Sequence, residues 1–232
     1  SKNKEKDIVL ALSLKLGKEI KKTFPDVNVI YTRNSDKFLE LHERAHIANQ
    51  ARADLFISIH CNSAKSHQAC GSETYVLGLH RNQDNLEVAK RENGVILLEK
   101  NHEQNYDGFD PNSEISHIIL NMYQNAYLDR SLAFASNLET NLQTRNKRKS
   151  RGVKQAGFLV LRNTFMPSIL FEAGFLSNKE EEAYLGSEQG QNKIVESFIH
   201  ALKDYNKQLE EDPQLAGTVD TRGLQQLVRD RA

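Results

Sequence analysis

The chain has 232 residues, and lysine plus arginine balance aspartate plus glutamate at 31 each, so the formal net charge is zero. That balance leaves no electrostatic footprint for nucleic acid or an anionic membrane surface. A 38% hydrophobic and 27% charged composition excludes an intrinsically disordered chain, and no apolar run approaches the ~20 residues needed to span a bilayer.

Lys6 to Thr23 predicts an amphipathic helix, with Ile8, Val9, Ala11, Leu12, Leu16 and Ile20 on one stripe and Pro25 as its stop. Val27 to Arg33 alternates and is β-branched, which predicts a strand. Leu39 to Arg52 predicts a second helix. Leu55 to His60 is short and nearly all apolar, as expected of a strand covered on both faces, and Ser72 to Leu77 predicts another. Leu86 to Lys100 is helical and charged, His102 to Asn112 a polar loop, and Ser113 opens a long helix running through Leu142. The basic stretch Arg145 to Arg151 reads as a solvated connection. Strands resume at Gly157 to Leu161 and at Ser168 to Glu172. Ser177 with Glu180 forms a capping box before a helix, and a last amphipathic helix spans about Gln191 to Leu209. From Asp212 onward the chain reads as a tail with one short helix. Cys61 and Cys70 allow a short-loop disulfide or, as the commoner arrangement, two free and partly buried thiols.

Alternation of strands and helices predicts an α/β fold: a mostly parallel twisted sheet with helices on both faces, plus a helical insertion. In such sheets chemistry collects beyond the carboxyl ends of the strands. His60 and Glu172 both stand at such ends. A charged carboxylate closing the run SILF is costly unless it is paired or placed on a metal or substrate. Glutamate beside a histidine-bound metal is the equipment that activates a water. A rival constellation is His42-Glu43-Arg44-Ala45-His46, which matches the helical zinc-peptidase pattern H-E-x-x-H, with both imidazoles on one helix face. No third ligand follows it at a matching distance. No G-x-S-x-G occurs, and His60 and Cys61 should point to opposite faces of their strand, so a serine or cysteine hydrolase is set aside.

Three stretches together resemble one family. KEKDIVLALSLKL (Lys4 to Leu16) looks like an E-K-x-x-x-L helix start. VIYTRNSDKFLELHERAHIANQARADLFISIHCNS (Val29 to Ser63) is similar to a T-R-x-x-D…L-x-x-R…A-N…A-D-L-F-I-S-I-H segment. FLVLRNTFMPSILFEAGFLSNKEEEAYL (Phe158 to Leu185) looks like an F-x-V-L…P-S-I-L-x-E-x-G-F-x-S-N block. The resemblance is to zinc-dependent N-acetylmuramoyl-L-alanine amidases, which cleave bacterial peptidoglycan, and it covers most of the chain outside residues 78–151. It absorbs His42 and His46 as incidental members of the L-x-x-R…A-N helix.

The resemblance implies one catalytic domain over residues 1–232, a helical and regulatory insertion at 78–151 and a tail at 212–232. It implies Zn²⁺ held by Glu5 and His60, with Glu172 as the catalytic carboxylate. The family's first ligand, a histidine in a G-H-G-G turn after the first strand, is expected upstream of Ser1. Division-associated members carry a helix in the insertion that plugs the site, and Ala89-Lys90-Arg91-Glu92-Asn93 resembles its A-x-x-E-N run, so Glu92 is expected to be an autoinhibitory ligand, with Glu87 and Glu99 as rivals. Peptidoglycan is the expected substrate, an activator protein docking on 78–151 the expected partner, and the periplasm or cell exterior the expected location. The alternatives are a zinc peptidase built on His42 and His46, or an inactive cell-wall-binding or regulatory domain.

Overall fold

The computed structural model describes residues 3–79, 83–121, 126–212 and 215. In chain order the elements are α1 (Glu5–Thr23), α2 (Leu41–Gln50), β1 (Phe56–Asn62), β2 (Ser72–Leu77), α3 (Gln83–Asn93), a 3₁₀ turn (Gly94–Leu98), α4 (His102–Asn105), α5 (Glu114–Asn121), α6 (Leu128–Thr144), β3 (Ser150–Ala156), α7 (Leu159–Arg162), β4 (Ser168–Phe175), α8 (Lys179–Gly186) and α9 (Glu188–Glu211). Helix α1 places Glu5 and Asp7 in its first turn and Lys21 and Lys22 in its last, each sign where the backbone dipole favours it.

The described strands form one sheet in the order β1-β4-β2-β3. β1 runs parallel to β4 and β2 parallel to β3, while β2 and β4 pair antiparallel. The expected mostly parallel α/β sheet is therefore present, with one antiparallel seam at its centre. Helices cover both faces. Ile169, Phe171, Ala173, Cys61 and Val76 pack with Leu12, Leu138, Leu142, Ile194 and Phe198 of α1, α6 and α9. Phe56, Tyr75, Leu77 and Leu170 point the other way, against Leu41, Ala89, Ile96 and Leu159. The period-2 alternation of the strands decides which residue joins which layer.

Two buried polar contacts set the sheet's working edge. Glu139 of α6 accepts hydroxyl bonds from Ser72 (3.0 Å), Thr74 (2.7 Å) and Ser150 (2.5 Å). With Ser72 and Thr74 held to that face, Glu73 between them must project to the opposite one. Arg148 donates to Ala173 O (2.6 Å) and to Glu181 Oε2 (2.8 Å), and Glu181 Oε2 accepts from the Phe175 amide (3.2 Å). The pair grips β4 just beyond Glu172. It passes where a Cβ on Gly174 would stand, which is why that position has no side chain.

Several sequence expectations are corrected. Val27 to Arg33 is extended but joins no ladder. Beside it the outer edge of β1 faces a cavity of about 1720 Å³ lined by Val9, Ile20, Val29, Tyr31, Ile57 and Leu202, so no strand lies within hydrogen-bonding reach. Gly157 to Leu161 is not a strand. Its last residues form α7, because the Asn93 side chain accepts from Leu159 N (2.9 Å) and donates to Gly157 O (2.7 Å), closing a turn. A short apolar run buried all round carries no period that separates helix from strand. The basic stretch is no simple solvated connection: Arg148 turns inward and β3 begins at Ser150. The long helix expected from Ser113 is two helices, α5 and α6; Met122 and Tyr123 lie outside the described residues. Asn178, rather than Ser177, caps α8, accepting from Glu180 N and Glu181 N. Both cysteines are free, Cys61 buried. Of the tail, only Asp212 and residue 215 are described.

Arg148→Ala should cost about 3–5 kcal/mol, because it strands a buried carboxylate. Replacing Arg148 and Glu181 together by methionine should cost less; urea unfolding midpoints of the two variants check this.

Candidate metal and catalytic site

His60 and Glu172 are directly opposite each other on β1 and β4, and Glu172 is opposite Glu73 on β2. Partners in register share a face, so these three residues form one row across the sheet. The row lies under the carboxyl end of α3. Glu5 reaches it from the first turn of α1.

The His60 Nδ1 atom faces two carboxylates, Glu5 Oε1 at 3.1 Å and Glu92 Oε2 at 3.0 Å. Its other nitrogen is 3.1 Å from Ser58 Oγ, which orients the ring. Glu5 Oε1 also accepts the Cys61 amide at 3.1 Å. Burial by itself lowers the imidazole pKa, but the Glu92 and Glu5 carboxylates outweigh it and raise it to about 10. Burial raises Glu92 too, and its contacts with His60 and Arg91 outweigh that, holding the carboxyl well below its usual range.

The ligand-capable atoms of Glu5, His60 and Glu92 lie within 4.8 Å of one another. Tetrahedral zinc with bonds of about 2.0–2.1 Å separates its ligand atoms by about 3.3 Å. The donor set and its spacing therefore fit a divalent ion such as zinc. Glu172 points to the same need. It is fully buried, and neither carboxylate oxygen has a hydrogen-bond partner. Burial, followed by the negative charge of Glu92, pushes its pKa up. A carboxylate left so is costly unless a ligand, a water or a proton completes it.

Of the rival glutamates, Glu87 is exposed and sits near Lys90, while Glu99 is buried far from the row, accepting from Leu41 N (2.8 Å) and Tyr106 OH (2.5 Å). The H-E-x-x-H histidines do not converge. His42 groups with Glu40 and Glu99, and among the described residues no metal-capable group contains His46. The arrangement does not bring His42 and His46 into one metal-capable group, as the zinc-peptidase alternative requires.

Five residues at the row escaped the sequence reading. Arg91 donates to Ser63 O (2.9 Å), Asn62 Oδ1 (2.9 Å) and Glu92 Oε1 (3.0 Å), and stands 3.8 Å from Glu172 Oε1. Asn62 in turn donates to Glu73 Oε1 at 3.0 Å. Glu73 is also met by Lys154 and by Arg151 Nε at 3.5 Å. A signal existed for Glu73: a charge within SETYVL, on a buried strand, calls for the same explanation as Glu172. Nothing local signals Arg91 or the two β3 cations.

Fold and site together define an α/β protein whose sheet rim carries a metal-capable imidazole–carboxylate cluster beside an unpartnered carboxylate. The family described as N-acetylmuramoyl-L-alanine amidase matches residues 1–204, and the chain belongs to that family. It is 33% identical over 208 residues to N-acetylmuramoyl-L-alanine amidase AmiC of Escherichia coli O6:H1, with 88% of this chain and 48% of that relative covered. The chain thus spans about half the length of that relative. Among solved structures, the catalytic domain of CwlV from Bacillus (Paenibacillus) polymyxa var. colistinus superposes with a TM-score of 0.63 at 29% identity, covering 89% of this chain and 87% of that one. The N-acetylmuramoyl-L-alanine amidase from Clostridium difficile 630 superposes with a TM-score of 0.65 at 26% identity, covering 89% and 86%.

Because the folded His60 pKa is raised above its unfolded value, its stabilising contribution is complete below about pH 6.5 and is lost as pH rises toward about 10. Metal-free protein should therefore melt progressively lower across that window, and Glu92→Gln should flatten the fall; thermal denaturation against pH measures both. His42→Ala with His46→Ala should leave bound zinc unchanged by metal analysis.

Proposed function

We propose that this protein is a zinc-dependent peptidoglycan amidase, hydrolysing the amide between the lactyl group of N-acetylmuramic acid and L-alanine of the stem peptide, and that α3 holds it closed at rest. The observation that carries this reading is the convergence of Glu5 and His60 on one point beside Glu172, whose buried oxygens lack hydrogen-bond partners. Family membership supports the same substrate.

Glu5 and His60 would hold the zinc. Bound zinc supplies Lewis acidity that polarises the scissile carbonyl and lowers the pKa of a water to ~7. Glu172 takes the water's proton and hands it to the departing amine. Its raised pKa suits both directions of that transfer.

Glu92 meets the same His60 nitrogen that would hold the metal and so would compete with a water there, and Arg91 clips α3 to the rim through Ser63 and Asn62. Opening requires α3 to leave, and an activator protein docking on the insertion supplies the energy. Ile115, Ile118 and Ile119 of α5, with Leu98 of the adjoining turn, are exposed there and give such a partner an apolar surface. The cell envelope, periplasmic or external, is where this substrate lies. No described helix is long and apolar enough to cross a membrane.

In the full chain, Glu172→Gln should lower release of stem peptide from purified peptidoglycan by about 10²–10⁴-fold while zinc stays bound. Glu92→Ala should raise activator-free cleavage at least about tenfold, the effect of roughly 1.4 kcal/mol of lost occlusion. An unchanged rate would remove the plug. Absence of cleavage in every variant would leave a wall-binding domain instead.

A further inference from the structure

Among the described titratable groups, the proposed reaction makes no use of two cations that stand beside the His60–Glu172–Glu73 row. We infer that Arg151 and Lys154 of β3 form a carboxylate subsite that seats the peptide arm of the substrate, a chain bearing a free carboxylate within a few residues of the scissile L-alanine amide. The inference rests on the amidase reading and adds to it the origin of a charge preference.

Topology brings these residues to the site. β2 and β3 run antiparallel to β1 and β4, so the beginnings of the first two lie at the rim where the other two end. The row His60–Glu172–Glu73 therefore continues onto β3. Lys154 is in register with Tyr75, two residues beyond Glu73 and on the same face. The β2/β3 register shifts between Ser72 and Thr74, and Gly152 has φ +81°, so β3 bulges where Arg151 sits.

Charge gives the subsite its sign. Glu73 is 2% exposed and lies beneath both cations, whose side chains are 19% and 33% exposed. It also receives Tyr75 OH (3.2 Å) and Asn62 Nδ2 (3.0 Å). Glu73 offers one negative charge to two cations, so it does not by itself neutralise both. Arg151 is braced on the Phe175 ring, 5.1 Å from its centroid, so its fork is held rather than swinging in solvent.

The substrate has one arm that can answer that charge. The lactyl carboxyl of the sugar is consumed in the amide itself, so the glycan side beside the scissile bond carries no carboxylate; ionised carboxylates lie on the peptide. From Glu172 to β3 is two strand spacings, about 9.6 Å, and an extended peptide rises about 3.3 Å per residue. A carboxylate two or three residues along the peptide arm reaches Arg151 and Lys154 while the amide lies at Glu172 and the metal ligands.

The test uses the full, zinc-loaded chain and two soluble muropeptide fragments that differ in one group, a carboxylate or a carboxamide on the residue after L-alanine. The unaltered protein should show a KM about tenfold lower for the carboxylate form in low salt, converging as ionic strength rises. Arg151→Gln and Lys154→Met, combined with Glu73→Gln so that no buried carboxylate is stranded, should erase that difference by raising KM for the carboxylate form well beyond any change for the carboxamide form. Equal KM for the two fragments in the unaltered protein, or equal losses on both in the variant, overturns the subsite. If neither fragment is cleaved, the amidase reading itself fails, and calorimetry with the two sugar-free peptides then decides. Tighter binding of the carboxylate peptide, lost in the variant, upholds the subsite; equal binding or none overturns it.

Discussion

The buried carboxylate of Glu172 sits at the centre of the sheet with no hydrogen-bond partner on either oxygen, and the surroundings are arranged about that fact. An unpartnered carboxylate in a low-dielectric interior costs several kcal/mol and is retained where a site uses it. β4 holds it there because neighbouring strands pair on both sides and the Arg148–Glu181 pair grips the strand beyond it. The elements that approach it each bring a charge: Glu5 from α1, His60 from β1, Glu92 and Arg91 from α3, and Glu73 with its cations from β2 and β3.

The contacts of α3 with the row follow from the same electrostatics. The imidazole between Glu5 and Glu92 is stabilised in its charged form, and Arg91 lies close to Glu172. The site is thus a set of largely compensated charges under α3. In the proposed opening, withdrawal of α3 takes away one anion and one cation together. That keeps the net charge of the rim unchanged and exposes the His60–Glu172–Glu73 row to a ligand. The Asn93 amide ties the end of α3 to the start of α7.

How much of this was readable in the residues differs by level. His60 and Glu172 were legible because each interrupts the chemistry of an apolar strand end, an anomaly visible locally. Glu5 and Glu92 were legible only by resemblance, since a glutamate on a charged helix carries no local mark. The structure brings both to His60. Val27 to Arg33 alternates as a strand should, yet a strand is a pair property and its edge of the sheet stands open. Gly157 to Leu161 misled because burial on all sides erases periodicity.

The sequence by itself determined the α/β class, the helices α1, α2 and α9, three of the four described strands and the two strand-end residues, since periodicity and residue chemistry are short-range properties. Only the tertiary structure decided the antiparallel seam, and with it which strand beginnings share a rim with which strand ends. The chain reverses in the connection between β1 and β2 and reverses again between β3 and β4, and no local pattern encodes either direction. For that reason Arg151 and Lys154, unremarkable in a line of letters, stand with Glu73 beside His60 and Glu172 in the folded protein.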